Sequence, residues 1–152
     1  MLAKSSVGRN KIIVSGYLYL VDGGNVLLQR RRDTGYHDGD YGLVSGHVEA
    51  NETPRQAIVR EAREEAGIVI HPVDLELAHV MSHKSHVDGT ERLHFFWWCG
   101  KWSGKVENKE PEKYDKLAWR SLDNLPSNLV LELKIALECI NRDQIYSEFN
   151  WQ

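Results

Sequence analysis

The sequence predicts a single α/β domain. Three observations carry that prediction: a β-branched and aromatic hairpin near the start, a capped amphipathic helix in the middle, and no linker, repeat or low-complexity tract that would divide the 152 residues. A chain of this length normally forms one domain and buries about two-thirds of its unfolded surface, so it needs no disulfide or metal to hold it together.

Residues 1–10 read as a short polar arm, and 11–145 as the domain. Two apolar runs, 12–21 and 25–29, flank Asp22-Gly23-Gly24, the punctuation of a β-hairpin. The segment 33–42 carries three glycines and three aspartates in ten residues, which is loop chemistry. A helix then opens at Thr53, with Gln56 three residues on as a capping box and Pro54 at the first helical position, and it closes at Gly67. Strand-like stretches follow at 73–81 and 93–99, separated by a polar segment with Asp88-Gly89. Residues 103–115 read as a charged loop and 117–121 as a last strand. The stretch 128–141 reads as a helix with Leu129, Leu133, Leu137 and Ile140 on one face.

Composition narrows the function classes. Nineteen Lys and Arg against 22 Asp and Glu leave a net charge of −3, so the chain lacks the cationic excess of a nucleic-acid coat or a polybasic membrane binder. The two cysteines, Cys99 and Cys139, form no C-x-x-C pair and read as inert thiols. The N-terminus has no apolar run of signal-peptide length, and no 18-residue apolar stretch occurs. The expectation is a cytoplasmic, reduced protein, a monomer or homodimer, with no membrane and no stable nucleic-acid partner.

The middle helix carries three glutamates, Glu61, Glu64 and Glu65. Counted from Ala57 at about 100° per residue, they fall at about 40°, −20° and 80°. Ile58, Val59, Ala62 and Ala66 occupy the adjoining sector, at roughly 100–200°. The helix therefore packs by one stripe and presents three carboxylates by the next. Glu61 and Glu65 form an i,i+4 like-charge pair that costs about 0.2–0.5 kcal/mol on an exposed helix, and more where burial adds desolvation. A divalent cation removes the conflict, and clustered carboxylate oxygens suit Mg²⁺ or Mn²⁺. The plain alternative is a solvated acidic face balanced by Arg60 and Arg63.

The spacing around these glutamates decides between the two. Gly46, Glu52, Arg60-Glu61-Ala62-Arg63-Glu64-Glu65-Ala66-Gly67-Ile68 resembles the Nudix box, G-x5-E-x7-R-E-U-x-E-E-x-G-U, at all seven fixed positions; Ala62 is small for its apolar position. Chance agreement at seven positions is on the order of one in a hundred million per start. The resemblance implies an α/β/α sandwich with a mixed sheet, and hydrolysis of a nucleoside diphosphate linked to another group with Mg²⁺ or Mn²⁺. It implies that Glu61, Glu64 and Glu65 bind metal, with Glu61 also activating or orienting the attacking water. Arg60 would hold a carboxylate in place; its plain alternative is an i,i+4 surface pair. Glu52 bonds the loop or Arg60 on this reading, or serves the helix dipole.

Two further metal ligands follow from the resemblance. Many members have Gly-Gly at the start of the box, with the first glycine's carbonyl on the metal; here the residues are Ser45-Gly46, so Ser45 takes that place. A late acidic ligand falls in the loop before Trp119, with Glu112 the first choice and Glu110 the second.

Substrate markers are mostly negative. The proline of ADP-ribose hydrolases is absent from the window holding His83 and Lys84. The tyrosine of dinucleoside polyphosphate hydrolases is absent where Ser85 and His86 stand, and the coenzyme A signature is missing around 27–32. Leu125-Pro-Ser-Asn-Leu129 resembles the Pro-x-Asn of MutT-like nucleoside triphosphate pyrophosphatases, which makes Asn128 a candidate to read a purine edge; it equally fits a helix N-cap. Arg30 and Arg31 are candidate phosphate contacts, and Tyr17, Tyr19 and Trp119 a candidate stacking wall. His79, His83 and His86 read as extended-segment histidines rather than metal ligands. The MutT-like activity on a small nucleotide is the leading reading. A sugar nucleotide or similar substrate is the alternative, and a non-catalytic nucleotide-sensing module comes third.

Overall fold

The computed structural model describes residues 8–152, so most of the expected polar arm lies outside the described residues; residues 8–10 form no helix or strand. The hairpin forms as its sequence requires. Strand β1 (Ile13–Asp22) and β2 (Asn25–Arg31) are joined by Gly23 and Gly24 at φ of 54° and 77°. Two consecutive left-handed residues match the twist of a tight hairpin, and glycine takes them without a Cβ penalty.

The two strands share only Val21↔Val26 and Asp22↔Asn25 before they diverge. Beyond the tip, β1 pairs with β4 (Val44–His47) on one side and runs parallel to β6 (Glu91–Cys99) on the other. β2 instead takes β3 (Tyr41–Gly42) and β7 (Tyr114–Ser121) as antiparallel partners. β5 (Glu76–Lys84) pairs with β6, and β8 (Tyr146–Phe149) closes the far edge in parallel with β5. The result is a mixed eight-stranded sheet whose central strands splay into a cleft.

Helix α1 (Pro54–Ala66) covers one face of this sheet and α2 (Leu131–Asn141) the other. Ile58, Ala62 and Ala66 of α1 pack with Leu18, Leu20 and Ile68, while Leu133 and Leu137 of α2 pack with Phe96, Met81 and Leu28. Leu27 belongs to the first cluster and its neighbours Val26 and Leu28 to the second, as strand alternation demands. This is the expected α/β/α sandwich. No helix among the described residues is long and apolar enough to cross a membrane.

Several boundaries differ from the sequence reading: β7 begins at Tyr114, inside the loop expected over 103–115, β2 and β6 are each two residues longer than expected, and four further differences have a local reason. Residues 72–74 form a short 3-10 turn in which Leu75 N–H bonds to the Pro72 carbonyl, so the strand expected from 73 starts at Glu76 and runs on to Lys84. Short strands β3 and β4 were not foreseen, being two and four residues long. α2 begins at Leu131 rather than at residue 128. The Asn128 carbonyl accepts from Tyr41 N–H and Val130 N–H donates to the Tyr41 carbonyl, which holds that stretch extended. The sheet also continues past residue 145, because His79 bonds both the Gln144 carbonyl and Ser147 Oγ at 2.7 Å and ties β8 to β5.

Candidate active site

The cleft between the diverging strands is a cavity of about 580 Å³, within the range of small-molecule sites. One wall is α1. Its capping box forms as the sequence dictates, with Thr53 Oγ1 accepting from Gln56 N–H and the Gln56 side chain accepting from Thr53 N–H. Gly67 ends the helix in a left-handed conformation at φ 68°. The helical angles of the three glutamates translate into graded burial. Glu65, beside the apolar stripe, is 5 % exposed; Glu61 is partly buried; Glu64, farthest from the stripe, has a side chain 51 % exposed.

Each glutamate has donors waiting. Arg60 Nη1 donates to Glu61 Oε1 at 2.7 Å and to Glu64 Oε2 at 3.2 Å. The same guanidinium grips both oxygens of Glu52, at 2.8 and 3.0 Å, and the His47 carbonyl at 3.1 Å. Arg60 therefore ties the loop before the helix to two of the three glutamates, well beyond a surface pair. Its hydrogen bonds hold the Glu52 carboxyl below the usual carboxylate range, and Glu52 in turn holds the guanidinium more firmly protonated.

Glu65 reaches into the sheet. Its Oε2 accepts from Gln29 Nε2 at 2.8 Å and Ser45 N–H at 3.2 Å, and its Oε1 accepts from Tyr114 OH at 3.0 Å. Burial still dominates and pushes the carboxyl up to about 7, against the lowering effect of these donors. Burial also raises Glu61, offset in part by Arg60. Glu61 lies directly over Gly46, where a Cβ would overlap its carboxylate, so the glycine at the start of the box leaves room for the glutamate fifteen residues later.

The other expected residues divide sharply. Ser45 reaches the cavity wall. Of the two late carboxylates, Glu110 lines the cavity and Glu112 does not; Glu112 is exposed, which reverses the order expected from the sequence. The reason is the turn before β7, where Lys113 and Tyr114 N–H both bond back to the Glu110 carbonyl and fold Glu110 inward. Arg31 lines the cavity, while Arg30, one residue earlier on the alternating strand, points away and forks onto Asp115 at 2.7 and 2.8 Å. Asn128 also lies outside the lining, and its amide donates to the Gly39 carbonyl at 2.7 Å; it is neither the N-cap of α2, which is Val130, nor a free polar group. Tyr17 lines the cavity, while Trp119 lies outside the lining and packs at a tilt against Trp102.

Gln29, Tyr114, His37, Arg92 and Glu132 line the cavity and were missed. Two had a signal. Gln29 is a polar residue in the apolar run 25–29, and Glu132 sits one residue before Leu133 and four before Ala136 on the buried side of its helix. His37 and Arg92 had none, because loop conformation and strand order place them.

The fit of a divalent cation rests on the donors. Glu61, Glu64, Glu65 and Glu110 line one region of the cavity and supply only hard oxygen atoms, the chemistry that suits Mg²⁺ or Mn²⁺. Among the described residues no three such groups converge closely enough to hold an ion as they stand, since Arg60 lies between Glu61 and Glu64.

The NUDIX domain model matches residues 10–138. The chain belongs to the NUDIX family. A MutT NUDIX hydrolase from Burkholderia pseudomallei superposes with a TM-score of 0.78 at 29 % identity, covering 85 % of this chain and 98 % of that one. The NAD-capped RNA hydrolase NudC of Stutzerimonas stutzeri is 30 % identical over 110 residues, which is 72 % of this chain and 37 % of the relative. A putative 8-oxo-dGTP diphosphatase 3 of Mycobacterium tuberculosis is 37 % identical over 65 residues, 43 % of this chain and 30 % of the relative. The chain thus spans about a third of the length of these two curated relatives.

Proposed function

We propose that this NUDIX protein hydrolyses a nucleoside diphosphate linked to another group, most specifically a nucleoside triphosphate, giving nucleoside monophosphate and pyrophosphate. The observation that carries the proposal is the carboxylate wall: Glu61, Glu64, Glu65 and Glu110 face one cavity. Four carboxylates would repel a polyphosphate, so the site makes chemical sense only with cations between the two. Mg²⁺ or Mn²⁺ there would neutralise phosphoryl oxygens and acidify a bound water.

The residues around the ion have separable tasks. Glu64, Glu65, Glu110 and the Ser45 carbonyl are the candidate ligands together with Glu61. Glu61 is also the candidate base: its partial burial raises its proton affinity, and its carboxylate stands over Gly46 of β4 at the cavity wall. Arg60 positions Glu61 and Glu64 rather than touching the reacting atoms. Gln29 and Tyr114 fix the Glu65 carboxyl. Arg31 and Lys113, which line the same cavity, supply positive charge for phosphate oxygens. The similarity to a putative 8-oxo-dGTP diphosphatase supports the triphosphate reading; the similarity to an NAD-capped RNA hydrolase supports the broader class of nucleotide-linked diphosphates.

The test is product analysis from a panel of nucleoside triphosphates, canonical and oxidised, ADP-ribose, sugar nucleotides and dinucleoside polyphosphates, with Mg²⁺ and with Mn²⁺. Pyrophosphate released from a triphosphate is the expected result. Turnover only of sugar nucleotides or dinucleotides keeps the chemistry and replaces the substrate. Silence throughout overturns the hydrolase reading in favour of a binding module.

A further inference from the structure

The loop that carries Glu110 is fastened to the helix whose glutamates share its cavity. Lys109 N–H donates to the Glu65 carbonyl at 3.1 Å and Glu107 N–H to the Ala66 carbonyl at 3.0 Å, so the loop caps the last turn of α1. After Glu110, Tyr114 OH donates to the Glu65 carboxylate at 3.0 Å. The loop therefore meets Glu65 twice, by backbone before Glu110 and by side chain after it.

Asn108 joins the two attachments. Its Oδ1 accepts from Glu110 N–H at 3.1 Å, and its Nδ2 donates to the Tyr114 carbonyl at 2.8 Å. Within that clasp, Lys113 and Tyr114 N–H bond back to the Glu110 carbonyl at 2.9 and 3.0 Å. Both backbone groups of Glu110 are thereby committed. Its side chain is held far less: Lys113 Nζ stands 3.5 Å from Glu110 Oε1 on a side chain 54 % exposed, and pairs of that kind contribute little.

Electrostatics works against this placement. Glu110 lines the same cavity as Glu61, Glu64 and Glu65, and like charges gathered there repel. Residues 104–113 belong to no helix or strand, so no ladder of backbone bonds resists that repulsion. We propose that Asn108 is a positioning residue for the metal site: by clasping the two ends of the turn it keeps Glu110 at the cavity wall, available to a divalent cation alongside the α1 glutamates. The assignment rests on the reading above that Glu110 is a metal ligand, and Asn108 itself touches neither cation nor substrate. Holding a ligand in place before the ion arrives is worth roughly 10- to 100-fold in metal affinity. The plain alternative is an asparagine that only closes a turn. The two differ in whether the effect of Asn108 passes through Glu110.

The experiment is a Mn²⁺ titration of the metal-free full chain, following the electron paramagnetic resonance signal of free Mn²⁺. It compares wild type, Asn108→Ala, Glu110→Gln and the double variant. Each single variant is expected to weaken Mn²⁺ binding about 10-fold. In the Glu110→Gln background, Asn108→Ala should change it by less than about twofold, because no carboxylate is left to position. Asn108 is a half-buried loop residue, so the alanine variant is expected to keep the fold by circular dichroism. Should it not, Asn108→Ser, which loses the bond to the Tyr114 carbonyl, takes its place under the same criteria. Three outcomes overturn the assignment: Mn²⁺ affinity within about threefold of wild type in Asn108→Ala, an equal loss in both backgrounds, or wild-type affinity in Glu110→Gln. A wild type that binds no Mn²⁺ overturns it together with the metal site. Turnover plays no part in this readout, so a protein that hydrolyses no nucleotide loses the hydrolase reading alone.

Discussion

The two helices, on opposite faces of the sheet, both send carboxylates to the cavity but hold them differently. On α1, Glu61, Glu64 and Glu65 are supplied with donors before any ligand arrives, from Arg60, Gln29, Ser45 and Tyr114. On α2, Glu132 is about as buried as Glu65, and among the described residues its nearest charged partner is His37 Nε2 at 3.9 Å, beyond hydrogen-bond reach. The α1 groups must hold fixed positions around developing charge, and preorganised donors remove the reorganisation cost at the moment of reaction. Glu132 only lines the cavity and is held by nothing comparable, so the ordered carboxylates are those of α1.

That contrast can be broken most severely on the α1 side. Glu61→Gln or Glu64→Gln should lower kcat by roughly 10²–10⁴-fold while leaving the circular dichroism spectrum intact. Activity within a factor of a few of wild type would remove that residue from the reacting centre. Gly46→Ala is the next largest: its Cβ overlaps the Glu61 carboxylate and must displace it, so kcat/KM should fall about 100-fold with no charge removed. An unimpaired Gly46→Ala enzyme would mean that the position of Glu61 is not critical.

A smaller effect sharpens the comparison through pH. Burial raises Glu65 from 4.5 to about 7, so the folded state favours its protonated form. The stabilisation tied to that proton is complete below pH of about 4.5 and is lost as pH rises through about 7. In metal-free protein, Glu65→Gln should therefore match wild type near pH 4.5 and exceed it by roughly 1–3 kcal/mol at pH 8. Denaturant melts of both proteins at the two pH values measure the difference; a gap that does not grow with pH would show that Glu65 ionises freely in the fold.

The smallest expected effect concerns Asn128, beyond the cavity wall. Asn128→Ala removes one hydrogen bond to the Gly39 carbonyl and should cost about 0.5–1.5 kcal/mol of stability, with the ratio of kcat/KM for purine over pyrimidine nucleotides altered less than about threefold. A larger fall in that ratio would assign base reading to Asn128 after all.

Much of the α1 side was legible before any coordinates. The capping box, the closing glycine and the angular order of the three glutamates are local consequences of helical geometry, and the graded burial of Glu65, Glu61 and Glu64 follows from that order. The hairpin at Gly23-Gly24 was legible for the same reason. The late carboxylate was not: Glu110 and Glu112 have equal chemistry, and only the turn that folds Lys113 and Tyr114 back onto Glu110 separates them. Arg30 and Arg31 likewise differ only in which side of β2 each takes.

Fold class, the carboxylate helix and the family are readable from the chain alone, because they depend on residues within one turn or one motif of each other. Tertiary structure alone decided the rest of the cavity. The divergence of β1 from β2 opens it, the pairing of Tyr41 with residues 128–130 delays α2 to Leu131, and together they bring Glu132 and His37 to one space. Those residues lie nearly a hundred positions apart, and contacts of that range are set by strand partners and loop closure, which no local pattern encodes.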